Sequence, residues 1–169
     1  MSRLALTTAA LLLAAPAAHA QASPMRPFDL WVGQWKGAGW SISATGARTE
    51  FSLVERVERK AGGTVLMVEG RGTSTGADGR ETVTHDGLAL VSYDAKAGRY
   101  RWNGHELLTG ATDAEVKLVE GGLEWSLLAG GATVRFTILF DAERWHEVGD
   151  VSVDGKTWNR FMEMNLVRA

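Results

Sequence analysis

About ten short runs of alternating apolar and polar residues, each cut off by glycine-rich punctuation, fill this sequence from Gly33 to Val167. That constant interruption is the tightest constraint on the fold, because no segment sustains the three-and-four spacing of a long helix. The runs are Gly33 to Ile42, Glu50 to Glu58, Thr64 to Thr73, Glu81 to Tyr93, Tyr100 to Asn103, Glu115 to Val119, Leu123 to Leu128, Thr133 to Phe140, Arg144 to Val153 and Lys156 to Val167. Gly121-Gly122 and Asp154-Gly155 suit two-residue hairpin turns, and Gly87, inside the longest run, predicts a bulge. Nearly every connection has hairpin length. The pattern therefore predicts an all-β fold, a single antiparallel up-and-down β-barrel of about ten strands whose closure removes exposed edges. Phe28 to Val32 supplies one helical turn or plug ahead of the first strand.

Alternation also predicts which side chains meet inside. Val134, Phe136, Ile138 and Phe140 share a face, as do Leu123, Trp125 and Leu127. Trp158, Arg160, Met162, Met164 and Leu166 form another set, and Trp145, Glu147, Val151 and Val153 a fourth. Two opposite charges, Glu147 and Arg160, thus fall on inner faces of adjacent strands, where a charge is costly unless paired. They are expected to pair with each other or to anchor the polar end of a ligand.

The first twenty residues belong to a different kind of segment. Arg3, the apolar stretch Leu4 to Ala15, and Ala18-His19-Ala20 follow the layout of a secretory signal peptide, with cleavage after Ala20. The apolar stretch is shorter than the ~20 residues of a membrane span. Residues 21–27, with two prolines, read as an extended leader, and 28–169 as the barrel. The expected location is periplasmic or secreted. No cysteine is present, which excludes disulfides, a thiol nucleophile and a lipidated N-terminal Cys. The net charge of −2 becomes more negative once Arg3 is removed, which argues against a nucleic-acid partner.

The run Gly33-x-Trp35 after an apolar lead-in, followed by a strand meander, resembles the lipocalin-like (calycin) superfamily. That resemblance implies a barrel with a cavity, with Gly33 and Trp35 at its floor. Trp145-His146-Glu147, then Ser152 to Trp158 leading to Glu163-Met164 and Arg168, looks like exported bacterial barrels known as domains of unknown function. Gly33-x-Trp35-x-Gly37-x-Gly39 is also similar to the opening of the nitrobindin haem-binding barrels. That family continues with Tyr-Pro-Thr where this chain has Trp40-Ser41-Ile42, and it ligates iron through a late His. The late candidate here is His146, which alternation points outward, opposite Trp145 and Glu147.

No residue pattern calls for a metal or another cofactor, and no nucleophile elbow or phosphate loop is present. Seven tryptophans are the most unusual feature of the composition. Trp35 and Trp158 are expected in the core, whereas Trp40, Trp102 and Trp125 are candidates for the wall of a ligand cavity. Tyr93 and His85 share an inward parity; His85 or Glu147 is the candidate for acid–base chemistry, and His85 for an inward iron ligand. His105 is placed in a loop at the barrel mouth. The chain therefore reads as a soluble binder of a small, mostly apolar or planar molecule, with Trp40, His85, Tyr93, Trp102, Trp125, Glu147 and Arg160 as ligand contacts. The alternatives are an enzyme of lyase or isomerase type, a haem or tetrapyrrole carrier, and a barrel whose outer surface binds another envelope protein.

Overall fold

The structure, a computed structural model, describes residues 23–169, so the signal-peptide reading lies outside the described residues. Ten antiparallel strands follow one another around a closed barrel: β1 (Gly33–Ile42), β2 (Arg48–Lys60), β3 (Val65–Thr75), β4 (Glu81–Asp94), β5 (Arg99–Glu106), β6 (Gly110–Val119), β7 (Gly122–Ala129), β8 (Ala132–Phe140), β9 (Arg144–Ser152) and β10 (Asn159–Arg168). Each strand pairs with its neighbours in sequence, and β1 closes the ring against β10. The up-and-down meander expected from the short connections is the observed topology.

One end of the barrel is sealed. The expected leader gives way early to a 3-10 helix, Arg26–Trp31, and Met25, Phe28 and Trp31 are fully buried. Trp31 stacks on Phe140 at 5.4 Å and meets Trp145 edge-on at 5.0 Å, while Phe28 meets Tyr100 edge-on at 5.2 Å. Trp35 is buried against Trp145 and donates its indole N–H to the carbonyl of Trp31 at 2.9 Å. This is the floor that the opening motif predicts. Arg168 fastens it from below: its guanidinium lies 4.3 Å from the Trp35 ring and donates to the carbonyls of Leu30, Val32 and Ala142. A side chain at Gly33, where φ is +152°, would collide with that guanidinium, which explains the glycine two residues before the tryptophan. Gly37 and Gly39 let the backbone of β10 approach β1 more closely than a Cβ would permit.

Two bulges reshape what alternation predicts. On β4 the register shifts at Thr84, between the His85–Gly72 and Val83–Thr73 pairs, and not at Gly87, which pairs regularly with Gly70 and Glu106. On β10, Arg160 pairs with Asp150 and Met162 with Gly149, so Phe161 is the extra residue. One extra residue inverts parity on its far side. Met162, Met164 and Leu166 stay inside, whereas Arg160 moves to the outer face. Asn103 to Glu106, expected in a loop, continues β5, and His105 is exposed on that strand.

Candidate functional site

Above the floor the inner wall changes character. Glu55 on β2, Gly70 on β3, Gly87 on β4 and Glu106 on β5 stand in direct register across four strands. The two glycines leave a recess between the two acids. The Glu55 carboxylate lies over Gly70, in the space a Cβ would take, and the imidazole of His85 lies over Gly87, with Cε1 only 2.8 Å from a built Cβ. His85 Nε2 faces Glu55 Oε1 and His85 Nδ1 faces Glu106 Oε1, each at 3.8 Å. Glu106 is held by its other oxygen, Oε2, which accepts from the backbone N–H groups of Leu108 and Thr109 and from the Thr109 hydroxyl. Its Oε1 is buried without a partner.

Burial governs the electrostatics. It pushes the Glu55 carboxyl well above the usual carboxylate range, with Glu147 and then Glu69 adding repulsion. It pushes the His85 imidazole down, against the opposing pull of Glu106 and Asp86. Glu147, on β9, pairs in register with Ile138 and Met164 and is raised to about 8 by burial, partly offset by the Trp145 indole N–H that donates to it at 3.2 Å.

A second wall is aromatic. Trp102 stacks on Trp125 at 4.9 Å and 13°, and Trp125 stacks on Phe136 at 4.5 Å and 20°. Phe161 closes the series edge-on to Phe136 at 5.8 Å and 81°. These rings come from β5, β7, β8 and β10, and small residues on the strands between let them meet. Ala114 on β6 pairs with Trp102, and a Cβ at Gly149 on β9 would crowd both Phe161 and Phe136. Trp125 is 8% exposed, and its Nε1 is buried with no acceptor.

The barrel wall has a seam beside this aromatic series. β6 and β7 pair only from Val116–Trp125 to Val119–Gly122, and then diverge. A cleft of about 500 Å³ lies between them, with Ala114 and Leu127, both packed on the core, in its lining.

The seven ligand contacts expected from sequence separate in this geometry. His85, Trp102, Trp125 and Glu147 project into the barrel above or beside the floor. Tyr93 is inside but at the sealed end, 4.9 Å from Tyr100, whose hydroxyl donates to the Pro24 carbonyl. Trp40 is on the outer face, beneath the guanidinium of Arg48 at 4.1 Å, because its parity is opposite to that of Trp35. Arg160 is outside as well. It donates to Asp150 at 3.1 Å, an acid that also meets Arg135, so the expected pairing with Glu147 does not form. Trp158, expected in the core, stacks instead under Arg135 at 3.8 Å. Glu55, Glu106, Phe136 and Phe161 complete the inner set. Glu55 had a readable signal, since it sits between Leu53 and Val57 on the apolar face of β2.

Haem fits this set poorly. His146 points outward and meets Glu163 at 3.1 Å. Both ring nitrogens of His85 face carboxylates, which leaves neither directed at open space for an iron.

No protein-family model matches the sequence, and no curated protein matches it. Solved structures do match the fold. Rv2717c from M. tuberculosis superposes with a TM-score of 0.62 at 13% identity, covering 86% of this chain and 98% of its own. The S-type phycobiliprotein lyase CPES from Guillardia theta gives 0.59 at 12% identity, covering 87% and 93%. The chain is thus a lipocalin-like β-barrel, with a sealed floor and an interior that is acidic on one wall and aromatic on the other.

Proposed function

We propose that the protein binds a small planar molecule in the upper half of the barrel, with its ring laid on the Trp102–Trp125–Phe136 series. The observation that carries this reading is the stack itself. Aligned rings above a sealed floor, with a buried indole N–H at Trp125 lacking an acceptor, match a ring ligand that brings an acceptor of its own. The cleft between β6 and β7 borders the same wall through Ala114 and Leu127. Trp102→Ala removes the end of the stack nearest β5 and should weaken binding by about 1–2 kcal/mol, roughly tenfold. The test is mass spectrometry of the molecule that co-purifies with the native protein, followed by titration of wild type and variant. Equal affinity in a folded Trp102→Ala protein would remove the stack from the site.

A second reading has its own observation. Glu55, His85 and Glu106 place an imidazole between two carboxyl groups, one raised by burial and one anchored by the β5–β6 turn. That set suits proton transfer to a bound molecule, an activity of lyase or isomerase type. A phycobiliprotein lyase shares the fold, so the architecture accommodates catalysis.

The Arg3 to Ala20 leader supports export to the periplasm or medium. Intact-mass analysis of the protein from its native host should give a chain beginning at Gln21. A mass that retains Met1 to Ala20 would overturn the cleavage after Ala20.

A further inference from the structure

We infer that the end of the barrel opposite the floor docks on a phospholipid surface through three neighbouring turns, the β5–β6, β7–β8 and β9–β10 connections. The floor gathers the starts of the odd-numbered strands, so the connections that follow β5, β7 and β9 all lie at the other end, side by side around the ring. Among the described residues, the four most exposed large apolar side chains are Val153 at 85%, Leu128 at 82%, Leu108 at 68% and Leu107 at 64%. All four lie here. Leu107 and Leu108 form the β5–β6 connection with Thr109, Leu128 stands at the end of β7, and Val153 opens the β9–β10 connection. The two other turns at this end, residues 43–47 and 76–80, hold no large apolar residue. Single apolar residues scattered over a surface are ordinary, whereas the strongest exposures gathered on one half of one rim mark a contact surface.

The charges of these turns favour a headgroup layer as the partner. Glu106, which ends β5, turns Oε2 back onto the N–H groups of Leu108 and Thr109. Asp154 accepts the N–H groups of Lys156 and Thr157 at 2.8 and 2.7 Å, and the hydroxyls of Ser152 and Thr157. Both carboxylates are thereby engaged within their own turns, and the cation of the three connections, Lys156, is exposed. A cation beside leucines suits the boundary between anionic headgroups and acyl chains. Successive turns stand two strands apart, roughly 10 Å, so the apolar groups form separate points and not one flat face. A fluid acyl phase receives such points individually. A protein partner, or a second copy of this chain, would need a matching pocket for each.

The test is flotation with vesicles of phosphatidylcholine alone or mixed with phosphatidylglycerol. It uses the chain from residue 21 onward, which holds the whole closed barrel without the apolar leader. Wild type should float with both vesicles and bind the mixed ones several-fold more tightly. Leu108→Ser and Leu128→Ser should each weaken binding to either vesicle by about tenfold. Lys156→Gln should abolish the preference for the mixed vesicles while leaving binding to phosphatidylcholine in place. Leu30→Ser, 54% exposed at the floor end, is the control and should bind as wild type does. Circular dichroism checks that each variant is folded, and leucines on two different turns keep the test alive if one variant misfolds. Wild type that floats with neither vesicle, or leucine variants that both float as wild type does, overturns the inference. A wild-type dimer that either leucine variant dissociates, seen by sedimentation in a protein that binds no vesicles, overturns it too and makes this end an interface between copies. The ring-binding reading stands or falls separately, since none of these residues lies on the Trp102–Trp125–Phe136 series.

Discussion

Trp145→Ala should cost the protein about 3–5 kcal/mol, the range for emptying a buried large aromatic site. Trp145 is 2% exposed and stands at the junction of the floor, edge-on to Trp31 at 5.0 Å and to Trp35 at 6.0 Å. Its ring also carries the donor that satisfies Glu147, so the substitution leaves a cavity and an unpaired carboxyl together. Domains of this size are stable by only about 5–15 kcal/mol, so the variant should melt about 10 °C or more below wild type. Trp40→Ala is the matched control. Trp40 lies on the outer face under Arg48, where an exposed cation–π contact is worth about 0.5–1 kcal/mol. Thermal unfolding of the two variants side by side tests the assignment. Similar losses would mean that Trp145 is not a floor residue.

That contrast between two tryptophans shows what a period-two reading of this chain can and cannot reach. The closed meander follows from the spacing of turns. The inner faces of β7 and β8 follow from Trp125 and Phe136 alternating with polar residues, and the stack between them confirms that register. Trp35 and Gly33 take the floor positions that the lipocalin resemblance implies. Trp40 was legible too, since it is one residue out of step with Trp35, but its size suggested a cavity wall. Arg160 and Trp158 were not legible. A bulge at Phe161 inverts their face, and nothing in Asn159-Arg160-Phe161-Met162 announces an extra residue. The site suffered most, because its recess depends on Glu55, Gly70, Gly87 and Glu106 falling in line across four strands. Local pattern fixes which face a side chain takes. The offset between strands, set by turns and bulges along the whole chain, fixes which side chains meet.

The second large effect is an inverted pH profile. Glu147 ionises near 4.5 when the chain is unfolded but only at about 8 in the barrel. Between those values the unfolded chain has lost a proton that the folded one keeps. Its neutral form therefore stabilises the fold fully below about pH 4.5, and that contribution declines as pH rises to about 8. At about 1.4 kcal/mol per pH unit, moving from pH 5 to pH 7 should cost on the order of 3 kcal/mol. The groups around Glu147 supply no cation to reverse this: Ile138 and Met164 flank it, Trp145 donates from below, and Glu55 is an acid of the same sign. Glu55, also raised, acts in the same direction. On the acid side, Asp154 and Asp141 are held down by backbone N–H groups, so their contribution disappears below the ordinary aspartate range. Stability should therefore peak in mildly acidic solution and fall towards neutrality. Glu147→Gln retains an oxygen to accept the Trp145 indole N–H and removes the titration. Urea unfolding at pH 5 and pH 7.5 should show the variant losing several-fold less stability than wild type between the two. Parallel profiles for the two proteins would show that Glu147 is already ionised in the folded barrel, with a water or an inward cation serving it.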